Sequence, residues 1–146
     1  MIKAVLFDAG GVLHVKNTAV GDDFQQEFGL SHEQVMEIFR HYVPLIGTGR
    51  MTEQQCLDDM AEKWHLRRAT ESERLFSRGF ETTLEKTPGI YDLIDGLKKQ
   101  GITVAVFSNV TPQFAEVQAQ AGHYDPFDYR ILSYEAGMWK PDPAFY

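Results

Sequence analysis

Three short apolar runs along the chain predict β-strands, and a polar residue stands at or near the end of each run. The first run, residues 3–8, shows no alternation of polar and apolar positions, which is typical of a strand buried on both faces of a parallel sheet. Similar runs cover residues 102–107 and 129–133. We therefore expect three strands, the first of them buried on both faces.

Between the first two runs, the apolar residues of segment 17–86 recur at helical spacing and predict about four amphipathic helices. Capping-box patterns that begin at Ser31, Thr52 and Thr70 predict helix starts. Glycines in segment 47–49 separate the second helix from the third. The predicted apolar stripes of the first two helices consist of Val20, Phe24, Phe28, Val35, Ile38, Phe39 and Tyr42.

The remaining chain predicts a helix over residues 90–97, the second strand, a helix that begins at Thr111, and the third strand. This order indicates an α/β fold with parallel crossovers, whose ligands gather at the carboxyl ends of the strands. We divide the chain into a sheet core of residues 1–16 and 87–146 and an inserted helical unit of residues 17–86. The core is small beside a typical domain of about 100–150 residues, so we expect it to be incomplete at its C-terminal end.

The composition limits the classes of binding partner and the cellular compartment that we expect for this protein. The formal net charge of −7 disfavours nucleic acids and anionic membranes as partners, because both repel an acidic surface. The apolar run of residues 2–7 is too short to be a membrane span or a signal-peptide core. Cys56 is the single cysteine, so nothing indicates an oxidising compartment, and we expect a cytoplasmic protein.

Asp8, Ser108 and Lys140 follow the three predicted strands. Taken singly, each has an ordinary explanation: a turn residue, a helix cap and a solvated cation. Together they supply a nucleophilic carboxylate, a hydroxyl donor and a cation, which are the groups that phosphoryl transfer needs. Phosphate oxygens would then meet backbone N–H groups of the glycines after Asp8 and of Asn109 and Val110.

Residues 7–13, 106–109 and 133–143 resemble the first three motifs of the haloacid dehalogenase-like hydrolases, in the order and spacing of that family. The resemblance implies a Rossmann-like core, a helical cap formed by residues 17–86 and a Mg²⁺ cofactor. It also implies three sets of site residues: Asp8 and Lys140 in catalysis, Ser108, Asn109 and Gly11 at the phosphate, and Asp8 with the Gly10 carbonyl at the metal.

Two departures from the family pattern affect the expected chemistry. Gly10 occupies the position of the second aspartate, which serves many family phosphatases as general acid and base. We therefore expect a weakly basic leaving group, such as an anomeric oxygen, or a proton supplied by water or by a cap residue. The acidic pair of the fourth motif is not found before Tyr146. We accordingly expect a truncated chain with weak metal affinity and doubtful activity.

The interpretation that the sequence favours is a phosphatase of a small phosphorylated metabolite, with a sugar phosphate as one candidate. A 2-haloacid dehalogenase and a non-catalytic interaction protein on the same fold are the alternatives. A phospho-receiver module is disfavoured, because its acceptor aspartate follows the third strand whereas Asp8 follows the first. An incomplete sheet also predicts self-association through an exposed edge or apolar flank, with a homodimer as the simplest product.

Overall fold

A computed structural model describes residues 2–15, 21–78 and 84–146. Three parallel strands form one sheet in the order β1 (Ala4–Phe7), β2 (Thr103–Ser108) and β3 (Tyr129–Leu132). Phe7 lies opposite Val106 in the register of β1 and β2, and Ser108 lies opposite Leu132 in that of β2 and β3. The predicted strands are confirmed to within one residue at each end.

Burial of the two outer strands differs from the expectation. Strand β2 is buried along nearly its whole length, but Leu6 of β1 is 55% exposed and Tyr129 of β3 is 66% exposed. The prediction that β1 is buried on both faces is therefore wrong. Because β1 is an edge strand and side chains alternate between the two faces of a sheet, only the face that carries Phe7 is packed into the core.

Three helices lie between β1 and β2 in the described segment 21–78: α1 (Asp22–Phe28), α2 (His32–Ile46) and α3 (Glu53–Lys63). Capping boxes at Ser31 and Thr52 begin α2 and α3, as predicted. The box at Thr70 instead begins a 3₁₀ turn, Glu71–Glu73. The predicted stripe residues of α1 and α2 are buried or packed against buried neighbours, except that Val20 lies outside the described residues.

The remaining elements surround the sheet. Helix α4 (Ile90–Lys99) precedes β2, and α5 (Pro112–Gln120) connects β2 to β3. The Thr111 side chain accepts the Phe114 N–H, which confirms the predicted start of α5. After β3 come the short helix α6 (Ser133–Ala136) and a 3₁₀ turn, Pro143–Phe145. No helix among the described residues combines the length and the apolar composition of a membrane span.

The described residues contain two apolar clusters. One is formed by α1, α2, α3 and the segment after them, and the other by the sheet with α4 and α5. Backbone hydrogen bonds pair the two connections between these clusters: the Val15 N–H donates to Glu85, and the Thr87 N–H donates to Leu13. Position 86/87, one predicted domain boundary, lies at this pairing, whereas position 16/17 lies outside the described residues.

Candidate active site

Asp8 and Lys140 form an ion pair at the carboxyl ends of the strands. Asp8 follows β1 directly, and Lys140 lies in the loop after α6. Lys140 Nζ donates to Asp8 Oδ1 at 2.9 Å and to the Phe107 carbonyl at 2.9 Å. The Asp8 side chain is 49% exposed and that of Lys140 is 18% exposed. The structure therefore brings together two of the predicted site residues from opposite ends of the chain.

The two oxygens of the Asp8 carboxylate have different surroundings. Oδ1 accepts the Ala9 N–H at 2.9 Å in addition to the Lys140 ammonium. No described residue donates a hydrogen bond to Oδ2. Two donors on one oxygen fix the rotation of the carboxylate, and they leave Oδ2 as the oxygen that can form a new bond.

Asn109 holds the backbone of Lys140. Its Nδ2 donates to the Lys140 carbonyl at 3.0 Å, and its Oδ1 accepts the Lys140 N–H at 2.8 Å. These paired bonds place the lysine backbone beside the end of β2, from which its side chain reaches Asp8. The Asn109 side chain thus positions Lys140, and donation of the Asn109 backbone N–H to phosphate stays a prediction.

Ser133 is not among the predicted site residues, but its side chain holds the backbone that follows β2. This fully buried side chain accepts the Val110 N–H at 2.9 Å and donates to the Val110 carbonyl at 3.0 Å. The available signal was the position of Ser133 at the end of the third strand, as the first residue of the third motif. The contact also corrects one expectation, because the Val110 N–H predicted for phosphate already has an acceptor.

The turn after Asp8 depends on glycine. Gly11 has φ +77°, a region that side chains with a Cβ seldom occupy. The Gly11 N–H donates to the His14 carbonyl at 3.1 Å, so this geometry does not support its predicted donation to phosphate. A Cβ at Gly10 would meet nothing within 4 Å, which leaves the space beside Asp8 open for a ligand.

Ser108 ends β2 and is 2% exposed. Its Oγ lies 3.4 Å from the Asn109 carbonyl, which is a long contact for a hydroxyl. The hydroxyl can therefore rotate toward another acceptor at little cost. A contact between Ser108 and phosphate stays a prediction.

Few groups near Asp8 could bind a metal ion. Among the described residues, no group of three or more His, Cys, Asp or Glu side chains converges on one point. Asp8 offers a half-exposed carboxylate, and the Gly10 carbonyl accepts no backbone hydrogen bond from the described residues. Oxygen ligands of this kind fit Mg²⁺, which commonly keeps several waters and takes one or two carboxylates together with substrate phosphate.

Two buried histidines lie behind the glycine turn. His14 is 5% exposed and His123 is 1% exposed, and their ring centroids are 5.6 Å apart. Burial lowers the pKa of both imidazoles below the ordinary value. His14 Nε2 lies 3.0 Å from Gln118 Nε2, which donates to the neutral ring. These contacts indicate a structural role for the pair.

A groove lies where the helical segment meets the end of β2, and two of its lining residues, Asn109 and Trp139, neighbour Lys140. It has a volume of about 210 Å³. The residues that line it are Phe39, Val43, Phe76, Asn109, Val110, Thr111, Phe114 and Trp139. Trp139 precedes Lys140, so the groove and the ion pair share one loop.

Comparisons with known proteins agree with this fold. A haloacid dehalogenase-like hydrolase family model matches residues 2–146. A predicted HAD-like family hydrolase from Porphyromonas gingivalis is 19% identical, with a TM-score of 0.75 over 99% of this chain and 73% of that one. A HAD family enzyme from Bacteroides thetaiotaomicron, solved with magnesium and inorganic phosphate, is 20% identical, with a TM-score of 0.72 over 99% and 75% of the two chains.

L-2-haloacid dehalogenase from Xanthobacter autotrophicus, solved with chloropropionic acid covalently bound, is also similar. It is 24% identical, with a TM-score of 0.62 over 100% of this chain and 62% of that one. At these identities the structural similarity establishes the fold. A comparison with curated protein sequences found no match.

Proposed function

Because the chain belongs to the haloacid dehalogenase-like hydrolase family, we propose that it is a magnesium-dependent phosphatase of a small phosphorylated metabolite. The Asp8–Lys140 ion pair is the observation that carries this proposal, since it places a carboxylate nucleophile beside a cation at the strand ends. The Bacteroides thetaiotaomicron enzyme of this fold binds magnesium and inorganic phosphate. That complex supports, for this chain, a phosphorylated substrate and a magnesium site made by Asp8 and Gly10.

In the proposed reaction Asp8 Oδ2 attacks phosphorus, an aspartyl phosphate forms, and the bond from phosphorus to the leaving oxygen breaks. Lys140 offsets negative charge on both the carboxylate and the phosphoryl group. Ser108 and the Asn109 backbone are the proposed contacts to the phosphoryl oxygens. Magnesium, when bound, supplies further positive charge. Water then attacks the acyl phosphate, which releases phosphate and restores Asp8.

The proposed reaction needs a leaving group that can depart without a carboxylic acid at position 10. Position 10 is glycine, so no carboxylic acid there can protonate the leaving oxygen. We propose that the substrate carries a weakly basic leaving group, or that water or a residue of the helical unit supplies the proton. In this proposal the helical unit, residues 17–86 of the sequence, is a cap that covers the site and contacts the substrate.

Dehalogenation is the second candidate function. The Xanthobacter autotrophicus dehalogenase shares the fold and carries chloropropionic acid bound covalently. Attack of Asp8 Oδ2 on carbon with loss of halide would use the same ion pair and would need no acid at Gly10. Phosphate release and halide release distinguish the two candidates.

The test is magnesium-dependent phosphate release from an aryl phosphate, whose leaving group needs no acid, with chloride release from 2-chloropropionate measured in parallel. We expect phosphate release that Asp8→Asn reduces by at least about a thousandfold, as removal of a nucleophile does elsewhere. Asp92→Asn, on the exposed side of α4, is the matched control and retains activity. Chloride release alone would favour the dehalogenase. Absence of both activities would contradict catalysis by this chain and would agree with either an incomplete metal site or the non-catalytic interaction protein.

A further inference from the structure

The groove beside the ion pair has walls that are mostly apolar. Phe39 and Val43 come from α2, and Phe76 comes from the segment after the Glu71–Glu73 turn. Phe114 of α5 and Trp139 complete the walls. We propose that this groove binds the organic part of the substrate, and that this part is apolar and about the size of one ring. This inference rests on the proposed phosphatase function.

Trp139 connects the groove to the reacting groups. Its indole ring packs against the helical segment at Gly47, where a Cβ would lie 2.1 Å from a ring atom. The next residue, Lys140, contacts Asp8, and Asn109 both lines the groove and binds the Lys140 backbone. The groove is therefore linked to the Asp8–Lys140 pair through Asn109 and residues 139–140, which makes it the proposed space for the organic group.

The side-chain amide of Asn109 and the backbone N–H and carbonyl of Val110, which line the groove, already have partners within the protein. The Asn109 amide binds the Lys140 backbone, and Ser133 binds both the N–H and the carbonyl of Val110. Thr111 Oγ accepts the Phe114 N–H. A sugar in this space would exchange water around its hydroxyls for aromatic and aliphatic carbon. Hydroxyls buried without partners lose affinity, so this groove disfavours a sugar.

Size and leaving-group chemistry point to the same substrate class. A volume of about 210 Å³ exceeds the cavity of about 150 Å³ that holds benzene in an engineered protein. A phenolic oxygen, with a pKa of about 10 in tyrosine, is a far weaker base than an alkoxide and leaves without an acid at Gly10. An aryl phosphate meets both requirements, whereas the anomeric sugar phosphate expected from the sequence meets only the second.

The test is calorimetric binding of methyl-, propyl- and hexylphosphonate to the full chain in the presence of magnesium. These probes share one headgroup and cannot be hydrolysed at the phosphorus–carbon bond. Full burial of one methylene strengthens binding about fourfold. We expect hexylphosphonate to bind at least about tenfold more tightly than methylphosphonate, because not every methylene will be fully buried. Equal affinities across the series would overturn the inference.

Variants connect the chain-length effect to the groove. Val43→Trp fills the groove and is expected to bring the hexyl-to-methyl affinity ratio close to one. Val43→Thr keeps the volume of the side chain but adds a hydroxyl, and it is expected to lower the hexyl-to-methyl affinity ratio. It tests the groove even if the larger Val43→Trp variant misfolds. Leu93→Trp is the control, because Leu93 is 52% exposed on α4, and it keeps the wild-type ratio. A ratio unchanged by both Val43 variants would overturn the inference.

The binding assay and the activity assay separate the two proposals. A chain-length effect without phosphate release contradicts the phosphatase function and supports the apolar site. Phosphate release that favours sugar phosphates over phenyl phosphate, with no chain-length effect, supports the phosphatase function and overturns the apolar site.

Discussion

Glu53 is a buried carboxyl group that the proposed chemistry does not use. It is the first residue of α3 and is 4% exposed. Burial raises the pKa of its carboxyl from 4.5 to about 7, with a further contribution from the charge of Glu71. The ionised form is therefore much less favourable in the folded chain than in the unfolded chain.

At the residue scale, Glu53→Gln is predicted to stabilise the protein increasingly as pH rises. The folded pKa lies above the unfolded value, so the wild-type chain loses stability as pH rises from 4.5 toward 7. We expect the stabilisation by Glu53→Gln, measured by urea unfolding, to be about 2 kcal/mol larger at pH 8 than at pH 5. Glu62→Gln, on the exposed face of the same helix, is the control. An effect of equal size at both pH values would contradict the prediction.

At the element scale, the helices between β1 and β2 depend on local caps as well as on packing. Helix α2 begins with Ser31, whose Oγ accepts the Gln34 N–H at 3.3 Å, while Gln34 Oε1 accepts the Ser31 N–H at 2.8 Å. These bonds satisfy two of the backbone groups that a helix start leaves without partners. The capping residues are exposed, so their effect is separable from that of the core.

Ser31→Ala is predicted to lower the free energy of unfolding by about 1 kcal/mol, because the Gln34 N–H loses its acceptor. Ser31→Asp keeps an acceptor and places a negative charge at the helix start, so it should retain stability near that of the wild type. Denaturant unfolding of the three proteins measures both effects. Equal losses in the two variants would show that the cap contributes nothing.

At the scale of the whole molecule, one face of the sheet exposes apolar side chains. Leu6 and Tyr129 lie on this face at 55% and 66% exposure, and Ile131 beside them is 37% exposed. The register places all three on the same side, opposite the face that carries Phe7. Contiguous apolar surface of this kind favours association between chains.

We predict that the chain self-associates with rising concentration, and that the homodimer is the first species formed. Leu6→Lys is expected to shift the equilibrium to monomer, because a charge on this face would be buried in the contact. Leu93→Lys, also at an exposed leucine, is the control and leaves the equilibrium unchanged. Sedimentation velocity over a concentration series measures it. Monomer alone at every concentration would contradict the prediction.

The positions of the strands and the order of the elements follow from local features of the sequence. Uninterrupted apolar runs, capping residues such as Ser31 and Thr52, and the Thr111–Pro112 helix start act over a few residues, so they are visible locally. Parallel strands present their carboxyl ends at one edge. That rule places Asp8 and the end of β3 at the same edge, and the contacts with the Asn109 side chain then position Lys140 beside Asp8.

Which side chains are buried and which hydrogen-bond donors have partners depends on the tertiary fold. Leu6 is exposed because β1 lies at a sheet edge, a fact that its own apolar run does not contain. The Asn109 amide is engaged by Lys140 and the Val110 N–H by Ser133, across separations of 31 and 23 residues. Such contacts depend on register and on the packing of distant segments. The apolar groove, assembled from the helical segment and the strand ends, arises in the same way.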